Sequence, residues 1–148
     1  MSIGFAVEHK AWKAADVRPA LRAAIRTTLK SEGARGALTV LLADDETLQR
    51  LNRDFRGKDK PTNVLSFPAG QNAENYLGDI ALSFETASRE ALEQNKPFKD
   101  HVLHLCVHAV LHLLGYDHEN EAEAAIMEGK ETALLKGMGI ADPYLLPA

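Results

Sequence analysis

The sequence predicts an α+β fold: a small mixed four-stranded sheet covered mainly by about five helices, one of them a central, buried helix that carries histidines. Three observations lead to it. The apolar patterns run strand, helix, strand, helix, strand, strand and then three helices, without the strict alternation of a wholly parallel sheet. The third and fourth strands follow one another directly, which predicts an antiparallel pair inside a mixed sheet. The segment at residues 100–114 is apolar on nearly all sides, so it belongs in the interior, against the sheet.

Taken in order, residues 3–8 alternate apolar with small or polar side chains, the pattern of a short strand. Residues 16–30 form the first helix, with Leu21, Ile25 and Leu29 on one face. Asp16 suits its N-cap, and Pro19 is tolerable in the first turn. Gly33 and Gly36 punctuate the exit. A continuous apolar run at 37–42 makes the second strand. Asp44 and Asp45 then open a second helix over 45–55, where their carboxylates suit the positive end of the helix dipole.

Residues 51–63 are dense in charge. Arg50, Arg53, Arg56, Lys58 and Lys60 stand against Asp54 and Asp59. Loops held on a rigid scaffold are where functional side chains are usually presented. The lysines read as a solvated connector. Arg56 sits where helix gives way to Gly57, so its guanidinium can swing into a cleft.

Residues 64–67 form the third strand, stopped by Pro68, and are expected to line that cleft. A polar turn at 69–77 leads to the fourth strand at 78–83, with Asp79 unusual near its start. Residues 84–94 form the third helix, capped by Ser83 and broken by Pro97. The histidine-bearing helix follows, with Leu103, Val107, Val110, Leu111 and Leu114 as its apolar face. Residues 119–136 form the last helix, with Ile126, Ala133 and Leu134 as its packed stripe and its glutamates as the solvated face. Gly137 and Gly139 end it, and Asp142-Pro143-Tyr144 begins a short tail.

Within the histidine helix and the turn after it lies the pattern H-x3-H-x2-G-x2-H, made by His108, His112, Gly115 and His118. Residues four apart on a helix share a face, with Cβ atoms about 5–6 Å apart, so His108 and His112 can address one ion. Glycine ends a helix readily, and the returning chain can offer His118 as a third nitrogen. Three protein ligands leave a fourth tetrahedral position for water or substrate, the mark of a catalytic site. The competing reading is a core helix with satisfied imidazoles. Three histidines at this spacing, with the glycine between the second and third, favour the metal.

The pattern resembles the H-E-x-x-H-x-x-G-x-x-H zinc motif of metzincin peptidases. It departs at Ala109, where those enzymes carry their general-base glutamate. The cage is kept and the peptidase base is absent.

His104 and His112 lie about 12 Å apart along a helix axis. Zn–N bonds are only about 2.0–2.1 Å, so one ion cannot hold His104, His108 and His112 together. His118 is the better third ligand. His104 reads as a core residue or as support behind a ligand, and His101 as a surface or helix-start residue. Cys106, on the opposite face from His108, reads as a small buried hydrophobe.

The 148 residues fit one domain, 1–148, and 45% hydrophobic with 26% charged residues is the composition of a soluble globule. No apolar run reaches the roughly 20 residues that span a bilayer. The N-terminus lacks the basic and apolar regions of a secretory signal, and a single cysteine excludes an internal disulfide framework. A cytoplasmic protein with no membrane partner is expected. The net charge of −4 conceals an asymmetry: residues 1–60 carry 12 Lys/Arg against 8 Asp/Glu, and residues 61–148 carry 5 against 13. Such a split can mark a face for an anionic ligand, or merely a solvated imbalance.

Three stretches together resemble one family: residues 51–68, with Leu51-Asn52, Phe55-Arg56, Lys58-Asp59 and the run from Pro61 to Pro68; then Gly78-Asp79-Ile80; then residues 104–118 with their histidines. They resemble the YbeY-type metal-dependent endoribonucleases, the ribosomal RNA maturation factors. Ala109 stands where that family commonly has glycine. The resemblance implies one Zn2+ per chain held by His108, His112 and His118, and an RNA-contacting Arg56. It also implies a role in 16S rRNA 3′ end maturation and ribosome quality control, with the small ribosomal subunit and its assembly factors as partners.

Zinc held by three neutral imidazoles keeps its charge, and can lower the pKa of bound water to about 7 or polarise a phosphoryl oxygen. An arginine fork matches the charge that builds on a phosphate. A small cleft around a buried metal must admit a bent backbone, which favours single-stranded RNA. The general base is open: Asp117 adjoins a ligand and can instead orient an imidazole, and a 2′-hydroxyl is an alternative nucleophile to water. One rival is a metallopeptidase or amidohydrolase taking its base from a residue such as Glu119, and Ala109 weighs against it. The other is a non-catalytic zinc-containing ribosome-assembly binding factor, which a fourth protein ligand would favour.

Overall fold

The computed structural model describes residues 2–144. Its elements are β1 (Ile3–Val7), α1 (Ala11–Ala15), α2 (Arg18–Ser31), β2 (Ala37–Ala43), α3 (Asp45–Arg56), β3 (Val64–Pro68), β4 (Tyr76–Ser83), α4 (Phe84–Glu93), α5 (Phe98–Leu113) and α6 (Glu121–Gly137). The four strands form one sheet in the order β1-β2-β4-β3. β2 pairs in parallel with β1 and β4, and β3 runs antiparallel along the outer edge of β4. The α+β class and the mixed sheet are as predicted.

Alternation along the strands separates two cores. Leu38, Val40 and Leu42 of β2 and Ile80 and Leu82 of β4 face the larger one, shared with α1, α2, α4, α5 and α6. Ala43, Leu65 and Ala81 point to the other face, where α3 covers them with Leu48. Helices therefore lie mainly on one side, and α3 alone crosses the other. Ten of the 16 residues of α5 are buried, against five of 14 in α2. The histidine helix is the central one because it has almost no polar face to turn outward. Among the described residues no helix is long and apolar enough to cross a membrane.

Some local expectations are corrected. A sixth helix, α1, precedes the predicted first one and buries Trp12, whose indole N–H donates to the Ala43 carbonyl at 2.8 Å. Asp16 is not the N-cap of α2; it ends α1 in the left-handed conformation, and Val17 begins α2 without a side-chain cap. Aspartate tolerates that conformation better than most residues, and the reversal there lets Trp12 tuck under the sheet end. Ser83 does not cap α4 with its side chain; its hydroxyl donates to Asp45 instead.

The stripe on α6 is also different. Ile126 is 57% exposed and Ala133 is exposed. The buried positions are Met127, Glu131, Leu134 and Leu135, of which only Leu134 belongs to the expected set. These fall at i, i+4, i+7 and i+8, the spacing of one helical face. A glutamate in the middle of it hides the pattern from a reading by hydropathy.

Candidate metal centre

His108 and His112 project from one side of α5, with ring centroids 4.6 Å apart. The helix then ends in two reversed hydrogen bonds, from Tyr116 N–H to the Leu111 carbonyl and from Gly115 N–H to the His112 carbonyl, both at 3.0 Å. This is the Schellman arrangement, and it needs a residue in positive φ at its turn. Gly115 supplies φ 105°, and nothing lies near enough to obstruct a side chain there, so the requirement is of the backbone alone. The Tyr116 hydroxyl donates to Glu32 at the end of α2, and Lys130 bonds the same carboxylate at 3.1 Å, which pins the turn. His118 is thereby brought back over the helix, with ring centroids 5.4 Å from His108 and 5.0 Å from His112.

One nitrogen from each of the three rings lies within 4.8 Å of the others. The Nε2 atoms of His108 and His112 are 3.1 Å apart. His108 turns its Nδ1 to the Glu131 carboxylate at 3.2 Å, so Nδ1 carries the hydrogen and Nε2 keeps its lone pair. The Tyr116 backbone accepts from the His112 ring, while burial and the neighbouring His108 and His118 push His112 below the usual imidazole range. With both Nδ1 atoms turned to acceptors, the two Nε2 lone pairs face one another, an arrangement that a cation between them would relieve. Tetrahedral zinc with bonds of about 2.0–2.1 Å sets its nitrogens about 3.3–3.4 Å apart, close to the spacing of the His108 and His112 Nε2 atoms. The three imidazoles can hold a metal ion, and His104 does not belong to the cluster.

His104 instead bonds Glu131 at 2.8 Å through Nε2. Glu131 is 0% exposed, which corrects its assignment to the solvated face of α6. Burial works to raise its carboxyl, but donors from His104, His108 and Tyr144 outweigh it and hold it at about 2. His101 is corrected as well: it stands near the start of α5, but is 4% exposed and shares Glu90 with Asn63. Cys106 is fully buried, as expected.

The three histidines open onto a cleft of ≈ 500 Å3, lined also by Arg56, Asn63, Val64 and Ser66. β3 forms its wall, as predicted. Arg56 closes α3, and its Nη2 donates to the Ser66 carbonyl at 3.0 Å, which holds the guanidinium at the cleft and, among the described residues, leaves its other N–H groups unspent. Asn52, buried in α3, takes hold of the following loop by donating to the Lys60 carbonyl at 3.0 Å. Ala109 lines the cleft where a peptidase would place its base, and the exposed Glu119 does not line it. Asp117 also lines the cleft, and its carboxylate accepts from the His118 backbone N–H at 2.8 Å rather than from an imidazole.

A family description for endoribonuclease YbeY matches residues 5–139. The chain belongs to the YbeY family. A protein of Rhodopseudomonas palustris named endoribonuclease YbeY is 47% identical over 93% of this chain and 78% of its own length. One from Paramagnetospirillum magneticum with the same name is 56% identical over 72% of this chain and 70% of its own. The solution structure of TM1509 from Thermotoga maritima superposes with a TM-score of 0.67 at 28% identity, covering 97% of this chain and 99% of that one. The YbeY match takes in the whole cleft, from Arg56 to His118, and also Glu131 on α6.

Sequence reasoning brought His108, His112, His118 and Arg56 to one place, and the structure places all four on the same cleft. It missed Glu131, Asn63 and Glu90. Asn63 bonds its own neighbour, the Val64 N–H, at 2.6 Å, and Glu90 at 2.9 Å. The available signal was an Asn at the mouth of a strand, a common place for side chain to backbone bonds. Nothing local marks Glu90 or Glu131.

Proposed function

We propose that this chain is a zinc-dependent endoribonuclease that cuts single-stranded RNA, with His108, His112 and His118 as the metal ligands and Arg56 as the phosphate clamp. The observation that carries the proposal is the shared cleft: an open three-imidazole cluster and an arginine with free donors, with alanine in place of a peptidase base. The names of the relatives support RNA as the substrate. When bound, the ion supplies Lewis acidity to a phosphoryl oxygen or to its water.

The chain's own residues do the rest. Arg56 pairs with the phosphate through planar N–H donors, where negative charge grows as the bond breaks. Asn63 keeps the start of β3 fixed as the cleft wall. A cleft of ≈ 500 Å3 has room for a short piece of bent strand. The substrate we propose is ribosomal RNA of the small subunit, at the 3′ end of 16S, met with assembly factors in the cytoplasm; family membership supports this.

The test is cleavage of an unstructured RNA by wild type, His112→Ala and Arg56→Ala, with zinc content measured on each. His112→Ala should lose both zinc and cleavage. Arg56→Ala should keep fold and zinc and slow by about 10²–10³, the usual effect of removing one donor aimed at transition-state charge. If zinc-free His112→Ala cuts as fast as wild type, the activity comes from elsewhere and a non-catalytic ribosome-assembly role replaces this one. If Arg56→Ala cuts normally, the loop is only a connector.

A further inference from the structure

We infer that Glu131 is a positioning residue of the metal centre: it locks His108 in the Nδ1–H tautomer and so aims the Nε2 lone pair into the cleft. The inference rests on the metal reading above and goes past the three ligands. Glu131 Oε1 collects three donors, His104 Nε2 at 2.8 Å, Tyr144 Oη at 2.9 Å and His108 Nδ1 at 3.2 Å. Its other oxygen, Oε2, is buried without a partner among the described residues.

No Lys or Arg pairs with this carboxylate among the described ion pairs. A wholly buried carboxylate held by two imidazole N–H groups and a phenol is costly, because the donors offset only part of its lost hydration. A divalent cation on the far nitrogen of His108 would restore the balance across one ring. Carboxylate, imidazole and metal in line is a general way of fixing a ligand's orientation and raising its basicity.

The anchoring is built from three elements. His104 stands one turn before His108 on α5, Glu131 comes from α6, and Tyr144 comes from the tail after it. The Lys96 ammonium bonds the Pro143 carbonyl at 3.1 Å and holds the tail in place. Tyr144 lies beyond residues 5–139, so the support of the centre extends past the stretch that the family description matches.

The first measurement needs no metal. Long-range proton–nitrogen NMR of the metal-free wild type, at a pH above the imidazole range, should show His108 protonated at Nδ1. Protonation at Nε2 overturns the inference. The second is zinc affinity by competition with a chromophoric chelator. Glu131→Leu should bind about 10–100-fold more weakly than wild type, as losses behind a ligand generally do. Tyr144→Phe, which removes a single hydroxyl and keeps the ring, should lose about 2–10-fold, the worth of one hydrogen bond. Wild-type affinity in a folded Glu131→Leu protein, or in Tyr144→Phe, overturns the inference. If wild type takes up no zinc while His108 is protonated at Nδ1, the metal reading fails and the tautomer assignment stands.

Discussion

Gly78→Ala puts a methyl group where β4 meets the cleft-forming edge strand. Gly78 pairs with Pro68 of β3 and has φ 139°. A Cβ built there would lie 2.3 Å from the Phe67 carbonyl oxygen and 2.9 Å from Leu113 Cδ2. Carbon–oxygen contacts normally begin near about 3.3 Å, so the Phe67 carbonyl must withdraw by about 1 Å. Leu113 can rotate aside; a strand carbonyl cannot. Strained backbone costs of order 1–3 kcal/mol, and overpacking typically about 1–3 kcal/mol more. A loss of about 3 kcal/mol is a large share of the roughly 5–15 kcal/mol that holds a domain together. Urea unfolding read by Trp12, the sole tryptophan and 1% exposed, reports it directly. With a slope of about 1–3 kcal/mol per molar, the midpoint should fall by about 1–3 M. Because Phe67 follows Ser66, the variant should also disturb the Arg56 anchor and cut RNA more slowly. A midpoint within about 0.2 M of wild type would refute the clash argument.

Two further outcomes follow from a buried and a half-buried group outside the cleft. Burial pushes the Cys106 thiol up to about 12, so an aromatic disulfide reagent at neutral pH should label it only as fast as the protein unfolds; labelling at the rate of a free thiol would show α5 to be less buried than found. The His101 hydrogen bond holds Glu90 below its ordinary value of 4.5, with burial opposing and Asn63 assisting. A folded value below the unfolded one means stability that is full above about pH 4.5 and lost as pH falls through the folded value. Glu90→Gln should therefore narrow its stability gap from wild type on acidification, and a gap independent of pH would rule out that network.

The strands and five of the six helices were legible because their signals are local. Leu21, Ile25 and Leu29 mark a helical face within α2, and all are buried. Asp44 announces α3 and does cap it, accepting from Thr47 N–H at 2.9 Å. α1 was missed because five residues are too few to show a period, and the displaced assignment of Asp16 followed from that. His101 was placed outside because a histidine near a helix start is ordinarily solvated, and only Glu90 on a neighbouring helix makes its burial tolerable.

Within the candidate site the division is the same. His108, His112, Gly115 and His118 lie within one helical end and its turn, where backbone hydrogen bonding alone fixes their spacing. The sequence by itself therefore determined the imidazole cluster, the arginine at the close of α3 and the absence of a peptidase base. Glu131 is 27 residues from His104 and 23 from His108, and it sits in a helix that also carries Glu121, Glu123 and Glu128. Only the tertiary structure decided which of these carboxylates turns inward. A buried charge is stable only where donors from other elements converge on it, and that convergence is a property of packing between helices.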